Sequence, residues 1–385
     1  MSNEDFYQGV KRRTALLAAG MAVCTPTFLQ AASNNFTLRL GQSLPLSGPH
    51  AVLADSYRSS AVAAFEEFNR SQGSGSGLRF ELHSLDDQNQ PELTTANVMR
   101  LRAQKSVHAL FGFVGEGADR AGAMAAAAIG VPYIAPVSGA MELRSSRRPG
   151  TFVFRASHAD EIRYIAHHSE IIGLTRLALV YELTFMGLEM RNTMLDLVGA
   201  DRRTEVTLTT IDTAGSAYTV PGAVATIMAV QPHAIVLGSN DVASAAFVKA
   251  VRIAGFKGYL YALSSVGSQG LAGRLDKLVS GISVTQVVPF PLSDSLIVSR
   301  NHRSFCSRNK IEPTLHTMEA WISATLLIEA IKRARGTQPT MIAEALVSAP
   351  AYNFGEYFAQ WYESRPNPKA PVSLTYYDRD GQLKA

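Results

Sequence analysis

Cysteine is nearly absent from this chain. Its 385 residues include two, Cys24 and Cys306, and the first lies in an N-terminal segment read below as removable. Cys306 is then alone, which excludes an internal disulfide and any multi-cysteine zinc site. A lone buried cysteine reads as core. Long apolar runs are missing too. Beyond the N-terminal segment the longest uncharged apolar stretch is Ala121–Val137, broken by Gly130, Pro132 and Pro136. A bilayer helix needs about 20 continuous apolar residues, so this stretch reads as a buried helix end followed by a buried strand. Charge is sparse: 18% of residues are charged, the formal net charge is +4, and no basic run follows the N-terminus. That removes the electrostatic case for nucleic acid.

Catalytic patterns are equally scarce. There is no Gly-x-Ser-x-Gly elbow and no glycine-rich loop ending in Lys-Ser/Thr. Gly115-x-Gly117 lacks the third glycine of a dinucleotide fingerprint. The nine histidines are scattered. His167-His168, with His158 upstream, cannot put adjacent imidazoles on one helix face, and no Cys/Asp constellation joins them. The reading is a non-enzyme with no metal and no cofactor.

What the chain does have is an export signal over residues 1–32. Met1–Val10 is polar, Lys11, Arg12 and Arg13 supply positive charge, and Thr14–Cys24 is apolar. Leu29-Gln30-Ala31 places a small residue at a cleavage point. Arg12-Arg13-Thr14-Ala15-Leu16-Leu17 resembles a twin-arginine signal; the other reading is an ordinary Sec signal. Val23 before Cys24 makes a poor lipidation box. The expectation is a periplasmic protein with no membrane insertion after cleavage.

About 350 residues follow, more than one hydrophobic core usually holds, so two lobes are expected. Apolar residues alternate over Phe36–Leu44, then recur at helical spacing over Ala51–Arg70, beyond which Ser71–Gly77 is a Ser/Gly loop. Strand and helix go on alternating to Pro136, and the pattern restarts at Arg176–Tyr181 and runs to Gly258–Leu263. Alternation of this kind implies parallel sheets with right-handed crossovers. Ser280–Val288 reads as a strand leading back to the first lobe. Helices are expected over Ser293–Arg308, Thr317–Arg335 and Thr340–Val347, and closing strands over Tyr352–Tyr362 and Val372–Tyr377. The division is 36–154 for the first lobe, 155–283 for the second, 284–350 for the rest of the first, and 351–385 for a crossing and closing strands.

Four segments carry a resemblance: Gly41–Pro49 (GQSLPLSGP), Leu85-Asp86-Asp87, Phe111–Val114 (FGFV) and Val131–Pro136 (VPYIAP). In this order and spacing the chain resembles the Leu/Ile/Val-binding protein family, the periplasmic solute receptors of ABC importers. The likeness covers about residues 36–380. It implies a type I periplasmic binding protein fold, α/β, with two doubly wound parallel-sheet lobes joined by three hinge crossings. Ligand would sit in the cleft between lobes, where strand carboxyl ends meet a crevice. Carried over by position, Leu53, Glu116, Gly117, Val137, Ser138, Gly139 and His316 would face it from the first lobe, and Phe185, Asn240 and Ser265 from the second. The hinges would lie near Arg155, Val284 and Tyr352–Tyr357. The chain departs from the resembled receptors where a serine becomes Glu116, where the acid gripping a ligand ammonium becomes Ser265, and where two paired cysteines become Asn89 and Gly115. The implied protein is a monomer that hands a small polar solute to a membrane permease. The alternative is a receptor that signals to a membrane protein without transport.

Overall fold

The computed structural model describes residues 36–72, 77–145, 147–200, 204–212, 214–266, 269–365 and 370–385, without the side chains of residues 116, 198–200 and 269. The export-signal reading and the middle of the Ser/Gly loop lie outside the described residues.

Alternating strands and helices build the first lobe: β1 (Thr37–Leu44), α1 (Ala51–Ser71), β2 (Arg79–Asp86), α2 (Pro91–Lys105), β3 (Ala109–Phe111), α3 (Glu116–Ile129), β4 (Tyr133–Ile134) and β5 (Thr151–Val153). The second lobe follows as α4 (His158–Ile171), β6 (Arg176–Tyr181), α5 (Phe185–Ala200), β7 (Glu205–Thr210), α6 (Val220–Val230), β8 (Ala234–Gly238), α7 (Asp241–Ile253), β9 (Tyr259–Ala262), α8 (Gln269–Leu275) and β10 (Ile282–Gln286). The chain then returns to the first lobe. There it forms α9 (Ile297–Asn309), α10 (Leu315–Ile331), α11 (Pro339–Ser348), a hairpin of β11 (Tyr352–Asn353) and β12 (Phe358–Ala359), and β13 (Tyr362–Glu363). Finally β14 (Ser373–Tyr377) and β15 (Leu383–Lys384) join the second lobe.

The first sheet has the order β13-β5-β4-β3-β1-β2, parallel except for β13. The second has the order β15-β14-β10-β9-β8-β6-β7, parallel except for β14, which runs antiparallel to both of its neighbours. Both faces of each sheet are covered, so central strands are apolar throughout. Ala234–Gly238 is buried at every position.

Each lobe has its own core. In the first, Phe65 of α1 stacks on Phe80 at 5.0 Å and meets Phe111 edge-on at 5.4 Å. Truncating such a side chain to alanine typically costs about 3–5 kcal/mol. Beside it α10 is buried nearly all round. Ser60 Oγ of α1 donates to the Thr317 carbonyl of α10 at 2.8 Å. A capping box of Thr314 and Thr317 starts that helix, and one of Ser157 and Asp160 starts α4.

Several sequence expectations shift. The helix of α4 and the short strand β5 went unread, because buried polar residues (His158, Glu161, Ser169) break α4's apolar stripe and β5 is three residues long. The strand expected to lead back to the first lobe is β10, and its hydrogen bonds to β9 and β14 keep it in the second sheet. Tyr352–Tyr357 is not a crossing. It belongs to the β11–β12 hairpin, and Phe354 and Tyr357 pack into the first-lobe core. The third crossing joins β13 to β14 instead.

Candidate functional site

The carboxyl ends of parallel strands from both sheets converge on a cleft of about 290 Å³. From the first lobe, the chain after β3 contributes Val114 and Gly115, and the chain after β4 contributes Val137, Ser138 and Gly139. From the second, the chain after β8 contributes Ser239, Asn240 and Asp241, and the chain after β9 contributes Ser264, Ser265 and Val266. Arg155 enters from the first crossing and Glu319 from α10. A larger hollow of about 440 Å³ is lined only by residues of α1, α9 and α10, and no strand end reaches it.

The first-lobe wall joins two turns, at Val114–Gly115 and Val137–Gly139, to residues such as Leu53, Asn89 and His316. Gly115 has φ +108°, and a Cβ there would press on Asn89 Oδ1. The positions where the resembled receptors pair two cysteines are therefore adjacent in space. A Cβ at Gly139 would overlap the His158 ring. Arg144 fixes this wall from behind: its guanidinium, 2% exposed, donates to the carbonyls of Ala140 (2.8 Å), Ser138 (2.9 Å), Arg155 (3.2 Å) and Ala156 (3.3 Å). Burial brings its pKa down to about 10.

The second-lobe wall pairs the helix start Asn240–Asp241 with the turn Ser264–Ser265. Asn240 caps α7, its Oδ1 accepting from Ala243 N at 2.9 Å. Asp241 is matched by Arg274 Nε at 2.9 Å. Ser264 N and Oγ donate to Glu161 at 2.7 and 3.0 Å, and Thr285 Oγ1 donates to the same carboxylate.

At the floor, Arg155 ties the lobes together. Its Nη1 donates to Glu319 Oε1 and Oε2 at 3.0 and 3.2 Å, and its Nη2 donates to Ser264 Oγ at 3.1 Å. The pair is almost wholly buried. Burial pushes the Glu319 pKa up, against the opposing pull of Arg155. His158, also buried, is pushed down to about 3 by desolvation, then by Arg155 and Arg144, so its ring is neutral. Its Nδ1 is buried with no hydrogen-bond partner among the described residues. His316 is likewise pushed down, to about 4.

Of the residues expected at a ligand, the structure brings Leu53, Val137, Ser138, Gly139, Asn240, Ser265 and His316 to this cleft. Gly117 and Phe185 line a neighbouring cavity that shares only Ser138 with it. The Glu116 side chain lies outside the described residues; its backbone begins α3. Sequence reading missed His158, Glu319, Asp241 and Ser264 and took Arg155 only as a hinge. The available signals were an ionisable residue within the apolar α10 and polar residues immediately after strands. Asp86 and Asp87 tie loops, as their place at a strand end suggests. Asp86 accepts from Leu46 N at 2.9 Å, and Asp87 accepts from Ser43 Oγ at 2.8 Å.

Among the described residues no group of three or more His, Cys, Asp and Glu is placed to hold a metal. No described helix is long and apolar enough to cross a membrane.

Residues 37–382 match the family model described as periplasmic binding protein. The chain belongs to the periplasmic binding protein family. No curated protein matches it. Among solved structures, this periplasmic binding protein is similar to a possible leucine/isoleucine/valine-binding protein from Rhodopirellula baltica, with 22% identity, TM-score 0.80, and 92% of this chain and 98% of that one covered. A substrate-binding periplasmic protein from Ralstonia solanacearum is 24% identical at TM-score 0.77, covering 90% and 99%. A branched-chain amino acid ABC transporter protein from Thermus thermophilus, solved with bound valine, is 13% identical at TM-score 0.75, covering 91% and 95%. At these identities the likeness establishes the type I fold.

Proposed function

We propose that this chain is the substrate-binding receptor of an ABC importer. It captures a small polar solute in the cleft, closes its lobes around it, and presents the closed form to a membrane permease. The observation that carries the reading is the two-sided cleft at the strand carboxyl ends, floored by Arg155, which joins Glu319 of the first lobe to Ser264 of the second. The buried His158 Nδ1, which has no partner among the described residues, supports a polar occupant. Contacts from both walls stabilise the closed form, which is how a ligand shifts such an equilibrium. Export through the N-terminal segment and action as a monomer complete the reading.

Leucine, isoleucine and valine fit this cleft poorly. A buried ammonium needs an acid. Ser265 is neutral, Asp241 is matched by Arg274, and Glu319 by Arg155. Their affinity is expected to fall short of a dedicated receptor's by about 3 kcal/mol, roughly a hundredfold. A thermal-shift screen over amino acids, amides, aromatic acids and small carboxylates, followed by calorimetry, tests both points. Submicromolar leucine binding would overturn the specificity. Stabilisation by no member of the panel would count against the receptor reading.

A further inference from the structure

Phe185 and Glu189 stand four residues apart on α5, so they share one face of that helix. Both reach across to the first lobe. Glu189 Oε2 accepts from Met141 N at 2.9 Å. The Arg120 guanidinium of α3 lies over the Phe185 ring, 5.4 Å from its centroid. Arg120 Nε is also 3.5 Å from Glu142 Oε2, so its own lobe holds it while it meets the other. Neither contact uses a crossing or a residue that lines the cleft. Met141 opens a short 3-10 turn, Met141–Arg144. That turn ends at Arg144, the residue that gathers the Ser138 and Ala140 carbonyls behind the first wall. Burial and then Arg155 lower the Arg144 pKa, and Glu189 is the first of the charges that oppose them. One turn of chain therefore joins a second-lobe carboxylate to the first wall of the cleft.

We propose that Glu189 is a positioning residue that latches the two lobes: its hydrogen bond from Met141 N–H holds the closed form, with Arg120 on Phe185 as a second, weaker catch. A hydrogen bond to a carboxylate is charge-assisted and outweighs an exposed cation–π contact. Opening the lobes draws α5 away from the 3-10 turn and breaks both contacts. A contact made in one state alone biases the equilibrium by its whole free energy. The latch thus raises the fraction of closed molecules before any solute arrives. It rests on the receptor reading in one respect: a solute that binds the closed form gains affinity from that larger fraction. Because the latch lies outside the cleft lining, it strengthens the grip on any solute without choosing between solutes.

Small-angle scattering and hydrogen exchange on the ligand-free protein test this, with no solute present. Glu189→Ala should have a larger radius of gyration than the wild type, and the peptide carrying Met141 should exchange its amide faster. Glu189→Gln keeps an acceptor and should stay close to the wild type in both. Met141→Pro removes the same hydrogen bond from the donor side. Ala140 already has the extended backbone that precedes a proline, φ −59° and ψ 129°, so the substitution fits the turn. It should open the lobes as far as Glu189→Ala, and the two together should open them no further. It also keeps the test alive should Glu189→Ala fail to fold. Phe185→Ala should open them less. A radius unchanged in both Glu189→Ala and Met141→Pro would overturn the latch and leave the receptor reading standing. Opening by Glu189→Gln as large as by Glu189→Ala would also overturn it, because the Met141 hydrogen bond would not be what holds the lobes. Failure of the receptor reading would show differently: no solute would stabilise the protein, while the latch variants would still open.

Discussion

The two walls of the cleft are built differently. The first lobe offers the turns Val114–Gly115 and Val137–Gly139 beside Leu53 and His316, and the second offers the helix start Asn240–Asp241 and the turn Ser264–Ser265. Their supports differ too. One buried guanidinium, Arg144, gathers four carbonyls behind the first wall. The second wall is held piecemeal: Asn240 by its own helix cap, Asp241 by Arg274, Ser264 by Glu161. A wall whose turns are gathered by one concealed residue depends on that residue, so damage there spreads. A wall held by separate contacts fails one contact at a time, so it is the side on which specificity is changed without endangering the fold.

The sharpest way to break this contrast is Arg144→Met. It leaves four buried carbonyls without their donor. Loss of a buried, hydrogen-bonded charge of this kind costs about 3–5 kcal/mol. Denaturant melts should show that loss, and ligand affinity should fall with it. A cost below about 1 kcal/mol would mean the first wall supports itself.

Next in size is acid sensitivity. His158 is neutral when folded, with its pKa held near 3, whereas an unfolded histidine titrates near 6.5. The folded state therefore has its full stability above pH 6.5 and loses it as pH falls, because the unfolded chain gains a proton the folded chain refuses. The loss is about 1.4 kcal/mol per pH unit. His158→Gln lacks this component. The stability of the wild type relative to this variant should drop by about 2–3 kcal/mol between pH 6.5 and 4.5. A difference that stays flat with pH would contradict a buried neutral ring.

The smallest effect belongs to the second wall. Asn240→Ala removes one helix cap and should cost about 1 kcal/mol of stability. Its effect on ligand affinity should exceed its effect on the melt. If Asn240→Ala destabilises as much as Arg144→Met, the two walls are not supported differently.

The strand–helix order was readable over most of the chain because short apolar or alternating strand segments are separated by stretches of helical spacing. Helix α2 begins at Pro91 and ends at Lys105, as expected from a proline in the first turn. The polar ends of strands were less readable. Ser138, Gly139 and Asn240 were expected at the cleft from the family resemblance and do line it, but Ser264 lies one residue before the position chosen, and the floor was missed. Arg155 and Glu319 are 164 residues apart in sequence. Nothing local in either segment announces that α10 and the first crossing will meet. Arg144 was invisible for the same reason: its four partners are backbone atoms, which any sequence would supply. The third crossing was misplaced because aromatic residues over Tyr352–Tyr362 read as one strand. They form a hairpin with Phe354 and Tyr357 packed inward, Phe354 lying 5.4 Å from Trp321.

The central claim is that a solute is held by both walls at once and draws the lobes together. Small-angle scattering tests it most directly, with and without the compound that gives the largest thermal shift. The account predicts a smaller radius of gyration at saturation and no such change in Asn240→Ala at the same concentration, because one wall has then lost its grip. An unchanged radius for the saturated wild type would contradict it.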